Sequence, residues 1–307
     1  MDGRFLFYQS QSPDFRKQLD SLSAATTVAI VNKRKFETIK IVFPSLAEQK
    51  AIVAKIEELL SELDNGKQQL QTALQQLKVY RQSLLKWAFE GKLTNKDVKE
   101  GELPDGWIWV KLCEVSKVSG GLTKNAKRQS LEIQLPFLRV ANVYFNSLNL
   151  TDMHMIGIKE NEVERVRLQK DDLLFVEGNG SIEQIGRAAL WNGAIENCVH
   201  QNHLIKARLS NQVIPKFAVH FFCSMNGRDK IKEQANSTSG LHTLNLGKIS
   251  KLELPLPPIS EQQLIVDELE SKLTLCDKVE ETIKLSLQQA ETLRQSILKK
   301  AFEGKLV

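Results

Sequence analysis

PSLAEQKAIVAKIEELLSELD (44–64) and LKVYRQSLLKWAFEGKLT (77–94) return later in the chain as PPISEQQLIVDELESKLTLCD (257–277) and AETLRQSILKKAFEGKLV (290–307). Residues 44–94 align with 257–307 at a shift of 213 without a gap, and 22 of the 51 aligned positions are identical. Solenoid periods are a few tens of residues, so a shift this large means that one large unit was duplicated. In the first copy apolar or small residues fall at Ile52, Ile56, Leu59, Leu63, Gly66, Leu70, Ala73, Leu77, Tyr80, Leu84 and Trp87. The spacings alternate four and three, the heptad seam of a coiled coil. The same register in the second copy gives Ile265, Leu269, Lys272, Cys276, Val279, Ile283, Ser286, Ala290, Leu293, Ile297 and Lys300, a weaker seam.

Start and stop signals agree with a helix in each copy. Ser45-x-x-Glu48 and Ser260-x-x-Gln263 have the capping-box pattern, and Gly91 and Gly304 stand where a glycine cap ends a helix. Roughly 45 residues lie between these signals, a helix of about 65–70 Å. Gly66, beside Asn65, is a candidate kink of the first helix, although Val279 at the matching position shows that the repeat does not require a break. A stripe this long needs a partner, and the other copy, packed antiparallel, is the simplest one. The predicted seam pairs Ile52, Ile56, Leu59, Leu63, Leu70, Leu77 and Leu84 with Ile265, Leu269, Ile283, Leu293 and Ile297. Identity concentrates in the last third of each copy, including polar positions that a two-helix seam leaves outside. Those positions point to a similar third surface for each helix end.

The segment 95–258 has another character. A polar linker (95–106) ends at Pro104-Asp105-Gly106, and strand-like runs follow at 107–112, 136–145, 172–178, 186–191 and 203–209. A helix is expected at 215–236. The predicted fold class is α+β: one globular α/β domain with a mixed, largely antiparallel sheet, two long antiparallel coiled-coil helices, and a partial N-terminal domain. Four polar loops carry groups suited to nucleic acid. Thr123, Lys124, Asn125, Lys127 and Arg128 lie within 119–128; Asn179, Ser181 and Gln184 within 178–184; Gln201, Asn202 and His203 are consecutive; Ser237, Thr238, Ser239 and His242 lie within 236–242. Amides make bidentate contacts to adenine and cations neutralise phosphates. Solvated surface turns have the same composition, so each loop also stands as an ordinary turn. Arg139 and Arg187 sit beside apolar runs and equally suit internal ion pairs.

Bulk properties narrow the class. A hydrophobic content of 42% with 26% charged residues describes a folded chain, and no apolar run reaches the ~18–20 residues of a membrane span. Cys113, Cys198, Cys223 and Cys276 are scattered, which suits reduced thiols and a cytoplasmic location better than a disulfide framework or a zinc site. A net charge of +5 permits a nucleic-acid partner without demanding one. Catalytic patterns fail: Gly178-x-Gly180 lacks the third glycine of a dinucleotide fingerprint, and Ile249 replaces the Ser or Thr of a phosphate loop after Gly247-Lys248. His200 and His203 have no cysteine cluster nearby and suit structural roles rather than metal binding. Two kinds of protein remain on these grounds, a DNA-recognition protein and a coiled-coil adaptor that binds protein.

PPISEQQLIV (257–266), LRQSILKKAFEGKL (293–306) with its earlier copy, LPFLRVANV (135–143), DLLFVEGNGSIEQIGRAALW (172–191) and CVHQNHLIKARL (198–209) together resemble the specificity subunit of type I restriction–modification systems. The likeness covers nearly the whole chain. It implies a subunit without catalysis of its own, in which two target-recognition domains, held apart by two antiparallel helices, each take half of a split double-stranded DNA site. It further implies modification (methyltransferase) and restriction subunits as partners. AdoMet, ATP and Mg2+ are expected on those partners, with no cofactor and no metal in this chain. One departure stands out. The 213-residue shift extended upstream aligns 1–43 with 214–256, while 95–213 has no counterpart. The expected organisation is therefore a remnant of a first recognition domain (1–43), a spacer helix (44–94), one recognition domain (95–258) and a second spacer helix (259–307), in a truncated subunit. Phe5, Phe7, Tyr8 and Phe15 are expected to have lost the core they cover. Self-association through the helices or complementation by another recognition domain are the two routes to a complete site.

Overall fold

The computed structural model describes residues 1–23, 30–95, 97–99, 102–238 and 240–306, with 236–238 described by their backbone alone. In chain order the helices are α1 (Gly3–Gln11), α2 (Pro13–Leu22), α3 (Lys33–Phe36), α4 (Leu46–Phe89), α5 (Leu112–Val115), α6 (Glu160–Val166), α7 (Pro215–Cys223), α8 (Met225–Gln234), α9 (Leu246–Ser250) and α10 (Ile259–Phe302). The strands are β1 (Ile108–Lys111), β2 (Ser116–Gly120), β3 (Ile133–Leu138), β4 (Val143–Tyr144), β5 (Ser147–Leu148), β6 (His154–Ile158), β7 (Leu173–Val176), β8 (Gly178–Asn179), β9 (Ala188–Leu190), β10 (Val199–His200), β11 (Leu204–Leu209), β12 (Asn236–Thr238), β13 (Leu241–Thr243) and β14 (Glu253–Leu256). Two compact units form, Met1–Lys78 with Leu275–Val307, and Val79–Thr274.

Both repeats are helices of 44 residues. At the first start the capping box closes: the Ser45 N–H donates to Glu48 Oε2 (2.9 Å) and the Glu48 N–H to Ser45 Oγ (3.3 Å). The second helix begins one residue before Ser260, so the box expected there is not its cap. Instead the Glu261 and Gln262 N–H groups donate to the Pro258 carbonyl. Gly91 and Gly304 take φ of 77° and 72°, as glycine caps require. Beside them the Lys92 N–H reaches the Trp87 carbonyl and the Lys305 N–H the Lys300 carbonyl, the long bond of a Schellman turn. α4 continues through Gly66 without interruption.

In the first unit α4 and α10 are antiparallel, because Asp64 pairs with Arg294 (3.3 Å) while Lys67, further along α4, pairs with the earlier Glu291. Ile56, Leu60, Ile297, Leu298 and Ala301 form the core there, with Ile52, Leu59 and Leu63 packed against it. Ile283 is also buried, and Leu70 and Leu77 are half-buried. The heptad stripe fails at Leu293, which is 51% exposed, while Val53 and Leu60, outside the stripe, are buried. A straight helix turns every 3.6 residues, so a strict seven-residue stripe drifts off the facing surface. Leu84, Ile265 and Leu269 are buried in the second unit.

The segment before α4 repeats the segment before α10. α1 and α7 have nine residues each, α2 and α8 ten. Ser12 and Ser224 cap the second helix of each pair and donate Oγ–H to the carbonyls of Gln9 (2.7 Å) and Phe221 (2.6 Å). Phe5 meets Phe302 edge to face at 5.2 Å, and Phe217 meets Phe89 at 5.3 Å. Gln49 donates to the Pro44 carbonyl and accepts from the Asp2 N–H, as Gln262 does with Pro257 and Ile214. These matches set the shift at 212 in α1 and α2, one less than the extended alignment assumed. From Asn32 and Asn245, which cap α3 and α9 alike, the shift is 213 again.

The covering of the two copies differs. Gly3, Leu6, Phe7, Phe15, Phe36 and Ile41 line an open apolar groove of about 560 Å3 in the first unit. Phe7 is 56% exposed where its counterpart Val219 is 1% exposed, and Ile41 39% where Leu254 is 0%. The expected apolar patch is thus present, although Phe5 and Phe15 themselves are buried.

The second unit holds the α/β domain. The expected mixed, largely antiparallel character is found, but divided among five small sheets within the described residues: β1–β14, β10–β3–β6, β2–β11–β7–β9, β12–β13–β8 and β4–β5. Among the paired strands of the described residues only β10–β3 is parallel, with an isolated parallel bridge between Leu122 and Gln201. The predicted helix at 215–236 is two helices broken at Ser224, whose extended backbone (ψ 165°) and Oγ acceptor start α8. An aromatic chain runs from Phe89 through Phe217 and Phe221 to Phe222 and Phe175, joining the end of α4 to α7 and to β7.

Candidate nucleic-acid interface

Strand β2 ends at Gly120, and the chain crosses at Gly121 close against the turn that precedes β11. A Cβ at Gly121 would lie 2.1 Å from the His200 carbonyl oxygen, so only glycine permits the approach. The Leu122 N–H donates to the His200 carbonyl and the Asn202 N–H to the Leu122 carbonyl. Thr123, Lys124, Asn125 and Lys127 follow, all exposed. Gln201 and Asn202 are thereby fixed beside the 121–128 segment. His203 Nδ1 lies 2.7 Å from Glu177, and the Glu177 N–H donates to the His203 carbonyl. Through Glu177 the group extends to β8, where Asn179 stands opposite His242 in the β13 register. Candidates from the four loops therefore stand along adjoining connections.

Several side chains have internal work. Arg128 forks onto Glu162 (2.8 and 2.9 Å) and also donates to the carbonyls of Thr123 and Gly157. That pair holds the Glu162 carboxyl well below its ordinary range, at about 2. Four of the five guanidinium donors are used, so Arg128 braces the loop. Asn179 Oδ1 accepts the Ser181 N–H in an Asx turn, Gln201 Oε1 accepts the Val140 N–H, and Gln184 Oε1 accepts from Arg187. Ser119 and Gly120, taken with the loop, belong to β2, and within 236–242, expected as a loop, the paired strands β12 and β13 stand instead. The side chains of Ser237 and Thr238, and Ser239 altogether, lie outside the described residues.

Arg139 pairs with Asp152 at 2.6 Å, and Arg187 lies over the Tyr144 ring at 5.5 Å. His200 is fully buried and donates Nδ1–H to the Val166 carbonyl; burial pushes its pKa down to about 4, so the ring is neutral. Among the described residues no group of three or more His, Cys, Asp or Glu side chains could hold a metal ion, and no helix is long and apolar enough to cross a membrane.

Residue-level reading of the loops missed a second cationic group on the β2–β11 pair. Lys117 stands opposite Arg208, and Ser119 opposite Lys206. Their signal was present in the sequence as strict alternation, SKVSG and LIKARL, which places every second residue on one sheet face.

Residues 2–75 and 104–289 match the family model described as the type I restriction modification DNA specificity domain. The chain belongs to that family. Curated relatives include the type I restriction enzyme EcoKI specificity subunit of Escherichia coli strain K12, 31% identical over 306 residues, and the StySPI specificity subunit of Salmonella potsdam, 32% identical over 307. Each alignment takes in 98% of this chain and 65% of the relative, so the chain spans just under two thirds of their length. The fold agrees with the HsdS subunit from Thermoanaerobacter tengcongensis, with a TM-score of 0.65 at 20% identity over all of this chain and 71% of that one. A chain from a structure of type I R-M complex assembly and conformational transition gives a TM-score of 0.74 at 20% identity, covering 98% and 71%.

Proposed function

We propose that this chain is a DNA-recognition subunit of a type I restriction–modification complex, which brings partner subunits to a bipartite site and performs no chemistry itself. The observation that carries the reading is the convergence of exposed Thr123, Lys124, Asn125 and Lys127 with Gln201–His203 and Asn179 on one connected set of loops, in a chain of the specificity family. Cations there supply salt-dependent phosphate attraction, and amides supply base discrimination. The repeated polar positions at both helix ends suit two copies of the same modification subunit. AdoMet, ATP and Mg2+ belong to the partners in this scheme, and the unpaired thiols suit a cytoplasmic setting.

The same reading treats residues 1–43 as the closing part of another recognition domain. In the second unit the counterpart helices are covered by the β-rich segment 107–213; in the first unit the same face is an open apolar groove. Completion by another recognition domain, or pairing of two chains, would close it. The experiment is duplex binding by the chain with its modification subunit, followed by fluorescence anisotropy across salt concentrations. Affinity should fall steeply with salt, and mapping of methylated adenines in cells should return a split site. No affinity at low salt, alone or with the modification subunit, would overturn the reading.

A further inference from the structure

One face of the β2–β11 pair carries more cations than the carboxylates beside it can neutralise. Lys117 and Ser119 on β2 and Lys206 and Arg208 on β11 project to the same side, since alternate residues of paired strands share a face. Helix α6 lies beside them and contributes Asn161, Glu164 and Arg165, closing a cleft of about 460 Å3. Two of the four cations are anchored from behind. Arg208 forks onto buried Asp172 (2.8 Å to each oxygen), and Lys206 donates to the carbonyls of Arg165 (3.1 Å) and Arg167 (2.9 Å). Glu164 is taken by Arg167. Arg165 donates only to the Gly120 carbonyl (2.9 Å), and neither it nor Lys117 has a carboxylate within ion-pair distance among the described residues. The cleft therefore keeps a surplus of positive charge on a rigid frame, with a serine hydroxyl and an amide alongside.

We propose that this cleft is an anion site for a single phosphodiester phosphate, with Lys117 and Arg165 as its exposed donors and Lys206 as its buried one. The assignment to nucleic-acid phosphate rests on the DNA reading above, and the strands lead the same way. β2 runs from the cleft into the 121–128 loop, and β11 begins just after Gln201–His203. A backbone held in the cleft passes directly to the candidate base-reading loops. The buried ammonium has a further use. Burial pushes Lys206 down to about 8, helped by Arg208, Arg165 and Lys117 and opposed by Asp172, while His200 nearby is neutral. A bound anion stabilises the charged form, so binding raises the Lys206 pKa and weakens as the pH rises above 8.

Two readouts test the site on the full chain. With inorganic phosphate as ligand, lysine side-chain NMR should show the Lys206 titration moving upward. The double variant Lys117→Ala, Arg165→Ala, both exposed positions, should abolish that movement. With duplex DNA, the same variant should flatten the slope of log affinity against log salt by about 1, the loss of one phosphate contact. An unchanged Lys206 titration in phosphate, together with an unchanged salt slope, overturns the site while leaving the DNA reading in place. A phosphate-dependent titration in a chain that binds no duplex upholds the anion site and sinks the DNA reading.

Discussion

Gln262 ties the segment before α7 to the start of α10, and its replacement has calculable consequences. It is fully buried at the start of α10; its Oε1 accepts the Ile214 N–H (2.8 Å), and its Nε2 donates to the carbonyls of Gln212 (2.9 Å) and Pro257 (2.9 Å). Leucine fills a similar volume but strands one donor and two acceptors. Each stranded buried group costs about 1–3 kcal/mol, so Gln262→Leu should lose about 3–5 kcal/mol after the added apolar burial is set against it. Glutamate keeps the acceptor but turns an oxygen toward two carbonyls. Its carboxyl would be held protonated in the fold, with a pKa above the unfolded value. The penalty of Gln262→Glu should therefore be small in acid and grow as the pH rises through and beyond about 4.3, the ordinary glutamate value. Urea unfolding followed by tryptophan fluorescence is the assay, because Trp87, Trp107, Trp109 and Trp191 all lie in this unit. A Gln262→Leu midpoint equal to that of the wild type would refute the reasoning, since it would mean that the stranded groups find other partners without cost.

Further outcomes follow from burial and charge. Phe7→Asp in the open groove should change stability by less than about 0.5 kcal/mol, whereas Val219→Asp at the matching covered position should prevent folding of its unit, as circular dichroism melting would register. The Glu162–Arg128 pair lowers a carboxyl pKa, so its stabilisation is complete above about 4.5 and disappears as the pH falls toward 2; Arg128→Ala should remove that part of the acid dependence. Native alkylation followed by mass spectrometry should modify Cys113 first. Cys198 and Cys223 should resist, because burial pushes their thiols up to about 12 and about 11.

The long helices were legible because 3.6-residue periodicity, capping residues and terminal glycines all act locally. Ser45, Glu48, Gly91 and Gly304 behave as their sequence context dictates. Leu293 was misjudged because a heptad count ignores the drift of a straight helix. The 215–236 helix breaks at Ser224, whose hydroxyl accepts the Gly227 N–H, and at Gly227 a Cβ would lie 2.1 Å from the Phe221 carbonyl oxygen. An isolated Ser and Gly inside an apolar helical run are too weak a signal to place the break in one sequence. At the candidate site the loops could be named, yet the commitment of Arg128 to Glu162, 34 positions away, depends on tertiary approach at Gly157, where a Cβ would lie 1.7 Å from the Arg128 carbonyl. No local pattern announces such a pair. Lys117 and Lys206 could have been found from strand alternation, had β2 not been taken in part for a loop.

The repeated helix ends also bear on the gene. Runs such as LQQ, RQS and AFEGKL occur at the same place in both copies, 213 residues apart. Crossing over between the two copies would excise or add a whole number of codons. The spliced product would still possess an unbroken helix, because the exchanged positions occupy the same turn in each. Its cap would still be a left-handed glycine, Gly91 or Gly304. A joint within these runs therefore keeps the helical phase and the terminal cap, and module number can change in one step without breaking the helix at the joint.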